Sequence, residues 1–223
     1  VSVDENTLPM GEPTESWSFG DLQSAFNSSD LVIDETFVTA GNSHLCMEPR
    51  TTMANWENSK CYIYGSTQSQ SAIMPGLANF LGIKIENLVY IGEFCGGGFG
   101  SKAAPYSTMA IPAFMSKKIQ RPVMMRISRA EEFYIGRARP GFQGRVKLGF
   151  RNDGRMMAAD LYVVQENGPY RGFDDFDAAA SAVSLLYQPE ALRMQAVPVE
   201  TNTPPRAAMR GPGENQIAAA VEP

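Results

Sequence analysis

The pattern of apolar positions along the chain predicts a mixture of strands and helices. Strands are predicted over residues 31–39, 60–64, 85–94, 122–128 and 193–199. Helices are predicted over residues 21–26, over the stretch whose apolar stripe is Ile73, Leu77, Phe80 and Leu81, and over residues 103–120. Residues 166–190 have a mixed pattern, which is typical of irregular or helical structure.

Capping residues suggest where the helix around Ile73 begins and ends. Ser66 and Thr67 are candidate N-caps because their hydroxyl groups can accept from free backbone N–H groups. Gly82 is a candidate C-terminal stop. Pro75 costs this helix one hydrogen bond or marks its true first turn.

A long hairpin is the clearest local signal. Residues 145–150 and 155–165 flank Asn152-Asp153-Gly154, a sequence that favours a tight turn between antiparallel strands. This hairpin, together with the mixed order of the other elements, predicts an α+β fold with a mixed sheet and packed helices. A doubly wound parallel sheet is disfavoured.

The chain is long enough for one sizeable domain. Residues 1–20 show little periodicity and are predicted to be a linker or lead-in, and residues 21–223 are predicted to form the domain. The sequence stops soon after the Pro- and Gly-rich residues 201–213, in the opening turns of a helix. We therefore expect the domain to be incomplete at its C-terminus and to be part of a larger one.

Composition narrows the possible functions. Of the 223 residues 43% are hydrophobic and 19% charged, and the net charge of −5 argues against a general nucleic-acid binder. No apolar run reaches the roughly 18–20 residues of a membrane span. Three cysteines without CxxC spacing argue against a disulfide framework, and the single histidine, His44, excludes a metal site built from several histidines. A cytoplasmic location is the default.

The sharpest motif is the glycine run from Cys95 to Lys102, between a predicted strand and a predicted helix. Glycines allow the backbone to approach a ligand closely, and the N-terminus of a helix favours an anion. The run is neither a Walker A loop nor a GxGxxG fingerprint. It therefore predicts either a site for a phosphate-bearing cofactor or an ordinary tight turn.

Three further motifs are weaker. The Arg206–Gly213 stretch predicts an anion clamp or an ordinary loop with a surface arginine. In the Asn42–Pro49 stretch, His44 and Glu48 are predicted to be structural, hydrogen-bonded residues. Asp174, Asp175 and Asp177 lack the spacing of a calcium-binding loop and are predicted to lie in a solvated loop.

Four segments, taken in chain order, resemble the molybdenum-cofactor subunit of the xanthine dehydrogenase/aldehyde oxidase family. They are residues 20–49, which end in His-Leu-Cys-Met-Glu-Pro, residues 66–83, which begin Ser-Thr-Gln, the Cys-Gly-Gly-Gly-Phe-Gly-Ser-Lys run 95–102, and residues 202–216 with Arg-Gly-Pro-Gly. The resemblance implies that residues 21–223 are the first molybdopterin-binding domain.

The resemblance also implies roles for individual residues. Those implied to bind the cofactor are Asn42, Gly97, Gly98, Phe99, Gly100, Arg210 and Gly211. Asn42 stands where many relatives have a Gln that binds the apical oxo ligand. Ala103 and Pro212 stand in the substrate pocket, where purine-oxidising relatives have a Glu and an aromatic residue. No side chain is implied as a metal ligand, since the pterin dithiolene holds the molybdenum.

The function implied is that of a molybdenum hydroxylase acting on an aldehyde or an N-heteroaromatic, with oxygen from water. The cofactor is molybdenum–molybdopterin, in the plain or the cytosine dinucleotide form. The general base, a Glu, is expected outside this chain, so no catalytic residue is assigned here and the chain alone is expected to be inactive. Expected partners are the remaining molybdenum-subunit chain, a 2Fe-2S subunit and an FAD subunit. The alternative is a non-catalytic relic or binding module that keeps the fold without the cofactor.

Overall fold

The computed structural model of the chain describes residues 13–170 and 172–223, and these residues form eleven strands and six α-helices. The strands are β1 (Glu15–Phe19), β2 (Leu31–Thr39), β3 (Asn42–Ser43), β4 (Thr51–Glu57), β5 (Lys60–Gly65), β6 (Leu88–Ile91), β7 (Val123–Arg126), β8 (Ala138–Arg139), β9 (Phe142–Phe150), β10 (Met156–Gly168) and β11 (Ala191–Glu200). The helices are α1 (Leu22–Asn27), α2 (Gln70–Leu81), α3 (Ser107–Ile119), α4 (Arg129–Ile135), α5 (Phe176–Tyr187) and α6 (Glu214–Val221).

The chain divides into two compact units. The first comprises the described residues up to Asn42 together with Ala138–Pro223, and the second is Ser43–Arg137. Each contains its own sheet of parallel and antiparallel strand pairs with helices packed against it, so the predicted α+β class is confirmed.

The first unit is built on a five-stranded sheet in the order β1-β11-β10-β9-β2. Strands β10 and β11 are parallel, and the other neighbours are antiparallel. The predicted hairpin is confirmed: β9 and β10 are joined at Asn152-Asp153-Gly154, where Gly154 has φ +86°. Helices α5 and α6 cover one face of the sheet, and the rings of Phe142 and Phe176 stack there with centroids 6.1 Å apart.

The second unit has a four-stranded sheet in the order β6-β5-β4-β7, with α2 and α3 packed on it. Helix α2 buries Ile73, Leu77 and Leu81 as predicted, whereas Phe80 is exposed. The helix ends at Gly82, whose φ of +63° is the left-handed conformation that glycine adopts freely. Its N-cap is Ser69, which accepts from the N–H of Ala72, so the predicted caps Ser66 and Thr67 were wrong.

Several boundaries differ from the predictions. Helix α3 begins at Ser107 rather than at residue 103, because residues 99–104 form turns and bends before it. Strand β4 and helix α4 were not predicted. Part of the predicted lead-in, Glu15–Phe19, forms strand β1, while residues 1–12 lie outside the described residues.

Candidate functional site

The glycine run lies in the second unit, where it leaves β6 and turns before α3. Its backbone needs unusual torsion angles: φ is +103° at Gly97, +53° at Phe99 and +118° at Gly100. L-residues with side chains rarely adopt this region, so Phe99 is held there by its surroundings. The loop does not run directly into a helix, and its N–H groups therefore belong to a turn rather than to the first turn of α3.

Glu48 and Lys102 hold the two ends of this loop together. The Lys102 Nζ donates to the Glu48 carboxylate at 2.9 Å, to the Glu48 carbonyl oxygen at 3.0 Å and to the Ser66 hydroxyl at 2.9 Å. The N–H of Gly96 donates to the same Glu48 carboxylate oxygen at 2.8 Å. The start and the end of the glycine run are thus tied to one side chain.

The electrostatics of this pair are unequal. The Lys102 side chain is 0% exposed, whereas that of Glu48 is 38% exposed. Partial burial by itself would raise the pKa of the Glu48 carboxyl, but the hydrogen bonds from Lys102 and Gly96 outweigh burial and hold that pKa below its ordinary value. Three acceptors satisfy all three ammonium protons of Lys102, which is the condition for burying such a charge.

The Ser66-Thr67-Gln68 segment holds the loop from a second side. The Thr67 hydroxyl donates to the Lys102 carbonyl oxygen at 2.8 Å, and the Gln68 side-chain oxygen accepts from the N–H of Gly100 at 2.9 Å. Ser66 accepts from Lys102 as described above. These polar residues therefore hold the glycine loop instead of capping α2.

Close packing explains two of the glycines. A Cβ at Gly96 would lie 2.5 Å from the Glu48 Cβ, and one at Gly98 would lie 2.3 Å from the Gln68 Oε1.

Among the residues that the structure describes, the N–H groups of Gly97 and Gly98 have no acceptor. Free N–H groups in a loop without side chains suit a phosphate or a polar heterocycle at close approach.

A further layer of charged groups supports the loop. Arg50 forms a buried ion pair with Glu132, and its guanidinium also donates to the Ser101 carbonyl oxygen at 2.9 Å. Arg129 donates to the carbonyl oxygens of Cys46 and Met47, at 2.6 and 2.9 Å. These contacts fix the segment that carries Glu48.

His44 has a structural environment. It is buried, and its Nδ1 lies 3.0 Å from the carbonyl oxygen of Arg137. No group of three or more His, Cys, Asp or Glu residues within the described ranges is placed to hold a metal ion. No helix among those residues is long and apolar enough to cross a membrane.

The Arg206–Gly213 stretch lies in the first unit, and its two arginines differ. Arg206 is buried and paired with Glu166 and Thr203, so it is not a surface arginine. Arg210 is exposed, and its carbonyl oxygen and that of Gly211 accept from Arg139 at 2.6 and 2.8 Å.

The predicted site residues fall into two groups. Gly97, Gly98, Phe99, Gly100 and Ala103 lie together in the second unit, with Ala103 half-buried where the turn after the glycine run ends. Asn42, Arg210, Gly211 and Pro212 lie in the first unit, where Asn42 is exposed at the start of β3 and Pro212 is half-buried.

The predicted solvated loop is wrong for two of its three acids. Asp175 is 1% exposed, and burial raises the pKa of its carboxyl to about 6, although a hydrogen bond from Gln216 and the charge of Arg139 limit the rise. Asp177 is exposed, but it lies in the first turn of helix α5 rather than in a loop.

Several residues that shape the site were missed by sequence reasoning, notably Gln68, Arg50, Glu132 and Arg139. Each acts through a partner that is distant in sequence; Arg50, for example, pairs with Glu132, which lies 82 positions further along the chain. The available signal was polar residues placed inside otherwise apolar segments, which is too common to single them out.

Comparison with known proteins identifies the family of the chain. Residues 5–223 match the family of molybdopterin cofactor-binding domains. The aldehyde oxidoreductase molybdenum-binding subunit PaoC of Escherichia coli K12 is 34% identical over 118 residues, which are 53% of this chain and 16% of that protein. An indole-3-acetaldehyde oxidase of Arabidopsis thaliana is 29% identical over 201 residues, which are 88% of this chain and 15% of that protein.

A solved structure is similar over almost the same span. Quinoline 2-oxidoreductase from Pseudomonas putida 86 superposes with a TM-score of 0.81 at 26% identity, over 91% of this chain and 27% of that one. The matched part of the chain thus spans 16% and 15% of the length of the two curated relatives above. The family match, in contrast, covers nearly the whole of this chain. The chain belongs to the molybdopterin cofactor-binding domain family, of the xanthine dehydrogenase and aldehyde oxidase type.

Proposed function

We propose that this chain is part of a molybdenum hydroxylase and that its glycine loop binds the molybdopterin cofactor. The observation that carries the proposal is the loop itself: a side-chain-free run with unbonded N–H groups at Gly97 and Gly98, locked by Glu48 and Lys102. A rigid, preformed loop of this kind loses little conformational entropy when a ligand binds.

The residues of the loop fit this cofactor. A pterin with a phosphate tail needs hydrogen-bond donors and close approach of the backbone, and the Gly97–Gly98 segment offers both. When bound, the cofactor supplies the redox centre at which a substrate carbon is hydroxylated with oxygen from water. The chain's own contribution is to bind and orient it.

The remaining assignments follow the family resemblance residue by residue. We propose that Asn42, Arg210 and Gly211 also contact the cofactor. Ala103 and Pro212 are proposed as substrate-pocket residues; neither can make the contacts that the Glu and the aromatic residue of purine-oxidising relatives make, so we propose substrates other than a purine. Aldehydes and N-heteroaromatics are the proposed classes, and relatives named for an aldehyde or for quinoline support them.

The proposal extends to the rest of the assembly. By the family resemblance, the proposed general base is a Glu outside these 223 residues, and the proposed activity belongs to the protein that contains it. The proposed partners are a 2Fe-2S subunit and an FAD subunit, which would accept the electrons. The proposed molybdopterin is the plain or the cytosine dinucleotide form. The whole acts in the cytoplasm.

The test is to measure molybdenum and pterin in the native protein that contains this chain, purified from its source, together with its native mass and its oxidation of an aldehyde and of quinoline. Stoichiometric molybdenum and pterin in a large assembly support the proposal. A protein that carries neither, yet folds, would instead be the non-catalytic relic.

A glycine variant links the result to the loop. Gly98→Ala places a Cβ 2.3 Å from the Gln68 Oε1 and displaces the side chain that binds Gly100, so molybdenum content is expected to fall about 10-fold. The control is Gly154→Ala, which strains a hairpin turn at φ +86° in the first unit but creates no clash, since its Cβ meets nothing within 4 Å. An equal loss of molybdenum in both variants would contradict the proposal that the glycine loop binds the cofactor.

A further inference from the structure

Arg139 is a buried cation in the first unit to which the proposed function gives no role. It is 6% exposed, and its guanidinium makes three hydrogen bonds. The Nη2 donates to the Arg210 carbonyl oxygen at 2.6 Å, and the Nη1 donates to the Gly211 carbonyl oxygen at 2.8 Å and to the Gln216 Oε1 at 2.7 Å. One planar group thus holds two consecutive carbonyls of the loop.

Gln216, on helix α6, extends this hold to the end of the loop. Its Oε1 also accepts from the N–H of Gly213 at 3.1 Å, and its Nε2 donates to the Asp175 carboxylate at 2.7 Å. A Cβ at Gly213 would lie 2.1 Å from the Asp175 carbonyl oxygen, so the loop is packed tightly against the start of α5. The loop is therefore anchored at Arg210, Gly211 and Gly213.

The charges around Arg139 fit a structural cation. Burial lowers the pKa of its guanidinium, and the negative charges of Asp175 and Glu214 partly offset this. Arginine carries its donors in a rigid planar fork, whereas lysine has one compact ammonium on a flexible stem. The fork reaches the Arg210 and Gly211 carbonyl oxygens from two separate nitrogens, Nη2 and Nη1, whereas a lysine would have to reach both from a single nitrogen.

We propose that Arg139 is a positioning residue, whose planar guanidinium fixes the backbone of Arg210 and Gly211 and thereby the place of Arg210 in cofactor binding. The second half of this statement rests on the proposed function. The first half, that Arg139 holds the loop, does not depend on it.

The test compares Arg139→Lys and Arg139→Met with Arg145→Lys in the native protein. Arg145 pairs with Asp34 on the sheet of the same unit and serves as the matched control. Hydrogen exchange is measured by mass spectrometry on peptides covering residues 207–217 and, as a check on the fold, residues 145–163. Molybdenum per protein is measured in the same samples.

Both Arg139 variants are expected to exchange about 10-fold faster in the 207–217 peptides, since each loses at least one charge-assisted hydrogen bond. Their molybdenum content is expected to fall several-fold, about 5-fold or more. The control and the 145–163 peptides are expected to match the wild type.

Three results would overturn the proposal. Wild-type exchange in Arg139→Lys would mean that charge suffices and the fork is not needed. Faster exchange throughout the first unit would mean that Arg139 serves the fold as a whole. Faster loop exchange with unchanged molybdenum content would separate the loop from cofactor binding. A wild type without molybdenum contradicts the proposed function instead, and the exchange data then decide the loop-holding role alone.

Discussion

The ion pair between Glu48 and Lys102 gives the sharpest prediction, because its two members differ so much in exposure. Lys102 is fully buried, and Glu48 is 38% exposed. Removing one partner of a buried pair leaves the other charge without compensation, and this costs about 3–5 kcal/mol. The substitution Glu48→Gln keeps the shape of the side chain but leaves the buried ammonium without its counter-charge. We expect it to lower the free energy of loop opening by about 3 kcal/mol.

The reverse substitution is expected to be milder. In Lys102→Met, the Glu48 carboxylate keeps the N–H of Gly96 and gains access to water. The orphaned groups are the Ser66 hydroxyl and the Glu48 carbonyl oxygen, which cost about 1 kcal/mol each or somewhat more. Once the ammonium is gone, adding Glu48→Gln should cost less than about 0.5 kcal/mol.

Hydrogen exchange measures these differences without unfolding the protein. The N–H groups of Ser101 and Ala103 donate to the carbonyl oxygens of Gly98 and Gly100, at 2.9 and 3.2 Å, and report the opening of the loop. The effect of Glu48→Gln should be about 150-fold on their exchange rates when Lys102 is present, and about 2-fold in the Lys102→Met background.

The control for this cycle is Glu86→Gln. Glu86 pairs with Lys84 at 3.9 Å in the same unit, but both side chains are exposed, so exchange in the glycine loop should stay unchanged. If Glu48→Gln has the same effect in both backgrounds, the two side chains do not act as a pair, and the account of how the loop is held is wrong.

Two further predictions concern titrating groups. Burial raises the pKa of Asp175 from 3.8 to about 6, so the folded state binds this proton more tightly than the unfolded state. Stability from this group is therefore present below about pH 4 and is lost as the pH rises to 6, by about 3 kcal/mol in all. Asp175→Asn should remove this pH dependence from the unfolding of the first unit. The control Asp177→Asn, at an exposed position, should leave the pH dependence unchanged. A wild type whose stability does not fall between about pH 4 and pH 6 would refute the burial argument. The second prediction concerns the thiols: Cys95 is exposed, Cys46 is buried, and burial raises the pKa of Cys61 to about 11. At pH 8 one thiol, Cys95, should react rapidly with a disulfide reagent in the native protein, and rapid reaction of Cys61 would contradict the packing of the second unit.

Turn residues and apolar content predicted the strands of the first unit more directly than a buried face did. The β9–β10 hairpin was found where its turn sequence placed it, and strand β2 was found at Leu31–Thr39 although most of its side chains are exposed. Strand β4 was missed, although it is central in its sheet, since Thr51–Glu57 mixes threonine, asparagine and glutamate with few apolar residues. Helix α4 is short and depends on the capping box between Ser128 and Glu131, a signal that the sequence contains.

The site was less predictable than the fold because its bonds join distant positions. Lys102 and Glu48 are 54 residues apart, and Arg139 and Gln216 are 77 apart. No periodicity links such pairs, and a hydroxyl that caps a helix looks the same in sequence as one that binds a loop. Ser66 and Thr67 were misassigned for that reason.

Three of the sequence motifs that resemble the family are in contact in the structure. The Glu-Pro segment, the Ser-Thr-Gln segment and the glycine run are in contact through Glu48, Gln68 and Lys102. They form one structural unit, in which the glycine loop is held by the other two segments, and they are not three independent features. A substitution in one segment alters the constraint on the others: the clash that requires glycine at position 98 exists only because Gln68 lies against it. Replacing Gln68 with a smaller residue should therefore make Gly98→Ala tolerable for the backbone while leaving the Gly100 N–H without its acceptor. Coupling of this kind explains how segments that are individually weak signals become specific when they occur together.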